Sequence, residues 1–251
     1  MPATPAWPPR SAPRLFVETT IEHGVPVTVT GNQAHYLSRV MRIAVGDAVV
    51  LCDDRTGEWA SAAVTVGKRE IVLNPTQRLR TRETVPDLWL CPALLKKDRF
   101  DTVLEKATEL GVARIAPVLT RRCVADKLNA ERAASVVTEA AEQCARTALP
   151  TIATPVKLDA MLCDWPAERT LFFADELGGQ SAATAFSAHT GPAAILIGPE
   201  GGFDDTEREA IRALASAVPV TLGPRILRAE TAALTAIAVW MSVNGDWDSA
   251  K

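Results

Sequence analysis

No CxxC pair occurs anywhere in the chain, and the five cysteines (Cys52, Cys91, Cys123, Cys144 and Cys163) are odd in number and far apart. That argues against a disulfide framework or a cysteine-built zinc site, and it points to a reducing cytosol. No His/Cys/Asp cluster offers another metal a home, so no metal is expected. No apolar run approaches the ~20 residues a membrane-spanning helix needs, so no membrane is expected either. The opening MPATPAWPPRSAP has five prolines in thirteen residues and no apolar core. It does not read as a signal peptide, and residues 1–13 are expected to form a flexible lead-in. The chain also lacks the Gly-Lys-Ser/Thr of a phosphate-binding loop and the GxGxxG of a dinucleotide fold. Neither an ATPase nor a dehydrogenase is therefore supported.

What is present suits an ordinary globular protein: 251 residues, 47% hydrophobic and 23% charged, enough for one or two domains. The net charge of −3 hides an asymmetry. Residues 1–130 hold 18 Lys+Arg against 14 Asp+Glu, and residues 131–251 hold 9 against 16. An acidic total does not exclude a polyanionic partner when the basic groups share a face, although charges scattered over solvated surface would give the same counts.

From Arg14 to about Pro75 the pattern is short strands: 14–18, 25–31, 48–53, 59–66 and 70–74, parted by Gly/Asp turns. Such spacing predicts a small antiparallel β-barrel. One helical insertion, residues 32–42, places Tyr36, Val40 and Ile43 on an apolar stripe and His35, Arg39 and Arg42 on a cationic one. A polar stripe is commonly only a wet face, but a cationic one on a small barrel also suits RNA contact. Residues 75–86 are polar, basic and flanked by prolines, and the domain boundary is expected there.

Beyond it, strand and helix alternate. Strands are expected at 88–95, 112–119, 151–156, 170–175, 193–197 and 218–222. Helices are expected at 98–111 (capped by Asp98 and ended by Gly111), 131–148, 204–217 and the C-terminus. This order implies an α/β fold with a mainly parallel sheet covered on both faces. Two strands stop at Gly-Pro with a charged residue just beyond: Gly198-Pro199-Glu200-Gly201-Gly202, and Gly223-Pro224-Arg225 leading to Arg228 and Glu230. Glycine-rich strand ends are where α/β proteins place ligands, and Asp204 with Glu207 resembles a capping box that would hold the first loop. Lys96, Lys97 and Arg99 after one strand, and Arg121 and Arg122 after the next, should emerge on the same sheet edge.

The chain resembles the SPOUT class of S-adenosylmethionine-dependent methyltransferases. Within that class it is similar to the bacterial 16S ribosomal RNA uracil-N3 methyltransferase family. Residues 14–16, 35–42, 45–47, 106–112, 141–146, 197–203 and 222–228 carry the likeness, over about residues 14–245. Ala229 stands where the family usually has Thr, and Asp204 where Ser is common. The resemblance implies a PUA-like β-barrel domain at 14–76, a linker at 77–86, and a SPOUT domain with a deep trefoil knot at 87–251. It implies S-adenosylmethionine held by Leu196, Gly198, Pro199, Gly201, Gly202, Leu222, Gly223, Ile226 and Leu227. The implied partner is the 16S rRNA of the small ribosomal subunit, in the cytoplasm. RNA would be met by Arg14, His35, Arg39, Arg42, Lys96, Lys97, Arg99, Arg121 and Arg122. A homodimer is implied too, for which Leu234, Ile237, Ala238, Trp240 and Met241 of the last helix could supply the surface, as could an ordinary core helix.

Uracil N3 carries a proton that must leave as the methyl arrives, and negative charge then develops on the carbonyl oxygens. Glu200 and Glu230 are the candidate bases, with Arg228 or Arg225 as the electrostatic partner. A Glu200–Arg228 pair that merely braces the loops is the competing reading. A ribose 2′-O-methyltransferase of the same class, or a non-catalytic RNA-binding assembly factor, would share much of this pattern.

Overall fold

The computed structural model describes residues 7–247. The chain divides into two compact units, one comprising residues up to 84 together with 141–149, the other comprising residues 85–140 and those from 150 on.

The first unit is a curled five-stranded sheet. Strands β1 (Arg14–Phe16), β2 (Val27–Thr30), β3 (Ala48–Cys52), β4 (Glu58–Val66) and β5 (Glu70–Arg80) stand in the order β1-β3-β4-β5-β2. All pairings are antiparallel except β1 with β3. Three register shifts along β4–β5 supply the curl, because an extra residue on one strand bends and twists it. Alternate residues such as Val27, Val29, Ile71 and Leu73 fill the concave face with Leu15, Leu51 and Trp59. Asp53 closes the β3–β4 connection, accepting the amides of Ile21, Arg55 and Thr56 at 2.8, 2.9 and 2.7 Å. Burial alone would raise its pKa, but those donated hydrogen bonds win and hold the carboxyl below the usual range. Cys52, the buried last residue of β3, is pushed up to about 12 by burial and then by Glu58, so this thiol stays protonated.

Residues 141–149 cover one side of this unit. Ala141 and Leu149 pack on Phe16 and Cys52. The Glu83 carboxylate accepts the amides of Thr147 and Ala148 at 2.6 and 3.0 Å, and Arg80 donates to the Ala145 carbonyl at 2.7 Å.

The helix expected over 32–42 is different. Helix α1 covers only Gly31–His35, and a π-helical turn, Tyr36–Val40, follows. The Met41 amide bonds back to the Tyr36 carbonyl at 3.0 Å, a five-residue step, and Arg42 ends the turn at φ +54°. The widened turn changes which side chains face inward. Ala34, Leu37 and Ile43 are buried, whereas Tyr36 and Val40, expected in the core, are exposed. Arg42 is not on a continuous helical stripe with His35 and Arg39. Further differences are local. Strand β5 runs on to Arg80, into the stretch expected as linker. Of the lead-in, residues 1–6 lie outside the described residues.

The second unit is an α/β sheet of seven strands, all parallel, in the order β12-β14-β11-β13-β6-β7-β9. These are β6 (Leu88–Pro92), β7 (Arg114–Ile115), β9 (Thr151–Ile152), β11 (Thr170–Ala174), β12 (Gln180–Ser181), β13 (Ala193–Ile197) and β14 (Ala217–Thr221). Its central strands are buried on both faces and read as apolar runs, as parallel strands under helices must. Helices α2 (Lys97–Glu109), α3 (Ala130–Cys144), α4 (Leu158–Cys163), α5 (Ala182–Ser187), α6 (Asp205–Ala213) and α7 (Ala229–Asn244) connect or cover them. Strand β14 enters between β11 and β12, two strands that precede it in the chain.

Pro117 divides the strand expected over 112–119 into β7 and β8 (Val118–Leu119). Strand β8 pairs instead with β10 (Val156–Lys157), so the strand expected at 151–156 is also split. Lys96 rather than Asp98 occupies the N-cap of α2; Asp98 lies in the first turn, where its charge still suits the helix dipole. Ile237, Trp240 and Met241 of α7, suggested for a subunit surface, are buried in this chain's own core. No helix among the described residues is long and apolar enough to cross a membrane. Among them no group of three or more His, Cys, Asp or Glu is placed to hold a metal ion.

Candidate active site

Parallel strands deliver their C-terminal ends to one sheet edge, so the loops after β11, β13 and β14 meet there. They enclose a cavity of about 320 Å³, within the range of small-molecule sites. Its floor is apolar strand end, Ile197 and Val220, and Ala232 of α7 contributes one wall. Gly198, Pro199, Glu200 and Gly202 line one side, and Leu222 through Arg228 the other.

The first loop is a tight turn, with the Gly202 amide bonded to the Pro199 carbonyl at 2.9 Å and Glu200 at its corner. Gly202 has φ +66°, and a Cβ there would lie 2.8 Å from a Glu176 carboxylate oxygen. The left-handed φ is the conformation that glycine adopts without strain. Beyond the turn the capping box expected of Asp204 and Glu207 is formed. The Glu207 amide donates to Asp204 at 2.7 Å, and the Asp204 amide donates to Glu207 at 3.1 Å. Asp204 is held below the ordinary carboxylate range, first by the Glu207 amide and then, against some burial, by Arg121.

Glu200 is held by Arg99 of α2 at 2.8 Å, and the same guanidinium approaches Glu230 at 3.9 Å. The bracing pair expected between Glu200 and Arg228 is thus made by Arg99. Glu230, at the start of α7, does not line the cavity; one of its oxygens faces Arg99 and the other is buried without a partner among the described residues. Of the two candidate bases, Glu200 alone reaches the cavity. Arg225 and Arg228 both line it, and among the described residues neither has an ion pair.

Leu196 is buried in the core, one residue short of the cavity, and Gly201 sits against Arg122 instead of the cavity. The remaining cofactor candidates, Gly198, Pro199, Gly202, Leu222, Gly223, Ile226 and Leu227, all line it. The basic residues do converge on this sheet edge, but several turn inward. Arg122 donates to the Gly201 carbonyl at 2.8 Å, and Arg121 pairs with Asp204 at 2.9 Å. Lys96 and Lys97 are exposed, with no ion pair among the described residues. In the other unit, Arg14 is spent on buried Glu58, which also receives Arg80. His35, Arg39 and Arg42 are exposed.

Pattern reading missed a second charged group on the cavity. Arg208, almost buried, joins Asp175 at 3.2 Å and Glu176 at 3.1 Å, while Arg212 holds Asp175 at 2.6 Å. Asp175 and Glu176 follow a strand and precede Gly178-Gly179, a glycine-rich strand end without the Gly-Pro of the other two loops.

An RNA methyltransferase domain model matches residues 81–241, and an RNA methyltransferase PUA domain model matches residues 29–75. A curated ribosomal RNA small subunit methyltransferase E from Synechocystis is 33% identical over 234 residues, covering 90% of this chain and 74% of that protein. The chain belongs to the ribosomal RNA small subunit methyltransferase E family. A member of this family from Rickettsia conorii is 29% identical over 229 residues, covering 90% of this chain and 93% of its own. A crystal structure of the methyltransferase E of Neisseria gonorrhoeae, bound to S-adenosyl methionine, superposes with a TM-score of 0.85 at 26% identity. It covers 94% of this chain and 99% of that one. The fold is therefore that of this methyltransferase family: a PUA-like unit and a SPOUT-type parallel sheet.

Proposed function

We propose that the protein transfers a methyl group from S-adenosylmethionine to N3 of a uridine in the 16S RNA of the small ribosomal subunit. The observation that carries this reading is Glu200, fixed by Arg99 at the corner of a turn, facing a cavity that Arg225 and Arg228 also line.

The cavity suits the cofactor. Its size, its apolar floor and the tight glycine turn at its rim favour a flat heterocycle pressed against backbone. Amides and carbonyls of Gly198, Gly202, Leu222 and Leu227 can read its edge. When bound, S-adenosylmethionine supplies a methyl group on a positively charged sulfur. Glu200 accepts the N3 proton of the uracil, and Arg228 or Arg225 faces the carbonyl oxygens on which negative charge gathers. Because N3 lies on the pairing edge, the target base must be unpaired or extruded.

Two coarser elements belong to the same proposal. Ile226 and Leu177 are 90% and 71% exposed, and such bare apolar side chains beside a cavity suit coverage by a second copy of the chain. A cytoplasmic setting agrees with five free cysteines and a ribosomal substrate.

Nucleoside analysis of 16S RNA treated with the protein and S-adenosylmethionine tests the reading. N3-methyluridine is expected with the wild type and is expected to fall sharply with Glu200→Gln. Methyl groups on ribose 2′-oxygens, or no cofactor binding by calorimetry, would reject it.

A further inference from the structure

Residues 31–46 contain no acidic residue and three cationic or ionisable ones, His35, Arg39 and Arg42. Tyr36, the only tyrosine in the chain, lies among them and is 38% exposed. Val40 and Met41, the next large apolar groups, are 63% and 36% exposed. Only Leu37 in the stretch 35–42 is buried. Exposed aromatic and aliphatic surface is ordinarily removed from water, and a regular helix could have turned Tyr36 and Val40 inward. The chain instead adopts a π turn at Tyr36–Val40 and places Arg42, a non-glycine residue, at φ +54°. Both features cost free energy, and both gather at functional positions. Their effect here is specific: they bury Leu37 and Ile43 and leave one aromatic ring outside, with guanidiniums three and six residues further on.

We propose that this segment is a stacking platform for an unpaired base of single-stranded RNA, with Tyr36 offering the ring and Arg39 and Arg42 meeting the flanking phosphates. The proposal rests on the RNA-methylation reading and deepens it by naming the substrate feature this unit recognises. Every base has a face that stacks on an aromatic ring, and the guanidiniums of Arg39 and Arg42 complement the phosphates. A protein partner would suit the exposed apolar groups, but it would not account for a stretch without any acidic residue.

The test measures binding of the full-length chain to a short labelled single-stranded RNA containing uridines and to the matching duplex, at several salt concentrations. Tyr36→Ala is expected to weaken single-strand binding by about 5- to 100-fold while Tyr36→Phe stays near wild type, because stacking needs the ring and not the hydroxyl. Duplex affinity should be the same in all three. Arg39→Ala and Arg42→Ala should weaken both RNAs and reduce the salt slope for the single strand by roughly 0.7 each. Wild-type affinity in Tyr36→Ala overturns the platform. Equal losses in Tyr36→Ala and Tyr36→Phe, or on both RNAs, overturn it as well. Unchanged RNA affinity with lost binding to RNA-free ribosomal protein would assign the surface to a protein instead. Calorimetry with S-adenosylmethionine on the same samples judges the methyltransferase reading separately, since its failure would leave the RNA titrations intact.

Discussion

Residues 198–204 are tied down from three sides, whereas residues 222–228 leave the sheet with little to hold them. Arg99 grips Glu200, Arg122 grips the Gly201 carbonyl, and the Asp204–Glu207 box anchors the far end and draws in Arg121. On the opposite wall the loop's polar contacts among the described residues include Thr221 with Gly223 at 3.3 Å and the start of α7 at Arg228. Arg225, Ile226 and Arg228 are all exposed. One wall therefore presents a fixed carboxylate, and the other has few contacts to resist movement around a ligand. Catalytic groups profit from preorganisation, while entry and release need a segment of low local stability.

The largest expected effect falls on the fixed wall. Glu200→Gln should lower turnover by about 100-fold or more with cofactor affinity near wild type, as single-turnover kinetics and calorimetry would read. Arg99→Ala should lower turnover by about tenfold, and Arg99→Lys should restore part of it. Arg99 is 38% exposed at its side chain, so this pair contributes little to stability and the thermal midpoint should barely move. A full loss of fold in Arg99→Ala would mean that the arginine holds more than the loop.

Next in size is the mobility contrast itself. Amide exchange should be faster in 222–228 than in 198–204, and S-adenosylmethionine should slow the former far more. Equal protection of both loops would erase the distinction between them. Ile226→Ala sharpens it further. At 90% exposure it should change stability by less than about 0.5 kcal/mol, yet weaken cofactor binding several-fold if the loop folds inward.

The smallest effect is on pH. The folded Asp204 carboxyl sits below its ordinary value because it accepts the Glu207 amide. Its stabilising contribution is therefore complete above the unfolded carboxylate pKa and is lost as pH falls through the lower folded value. Exchange in 198–204, corrected for intrinsic rate, should be flat from neutral pH down and rise only below roughly pH 4. Asp204→Asn, which keeps a capping oxygen but cannot titrate, should remove that rise.

Local signals in the sequence carried far. The capping box at Asp204, the Gly-Pro loops and the apolar central strands depend on residues a few positions apart, so pattern alone exposes them. The clamps do not. Arg99 and Glu200 are 101 residues apart, and their meeting follows from β6 lying beside β13 in the sheet. The same holds for Arg208 with Asp175, which neighbouring parallel strands bring to one edge. Glu200 and Glu230 look equivalent as charged residues near a loop, and only the helical start of α7 turns Glu230 towards Arg99. The π turn at Tyr36 escaped because helical spacing assumes the ordinary step, and one wider turn reassigns every side chain after it.

Residues 141–149 carry a consequence for how this protein can be inherited. The N-terminal sheet takes its cover from them: Ala141 and Leu149 lie on Phe16 and Cys52, and Glu83 is satisfied by the amides of Thr147 and Ala148. A gene fragment ending at residue 84 would encode the strands without that cover, leaving apolar surface bare and a carboxylate without its donors. A recombination breakpoint at residue 84 cannot move this unit intact into another protein; one after residue 149 can, but it carries the enzyme segment 85–140 along. Selection must therefore treat the module and its return strap as one heritable block.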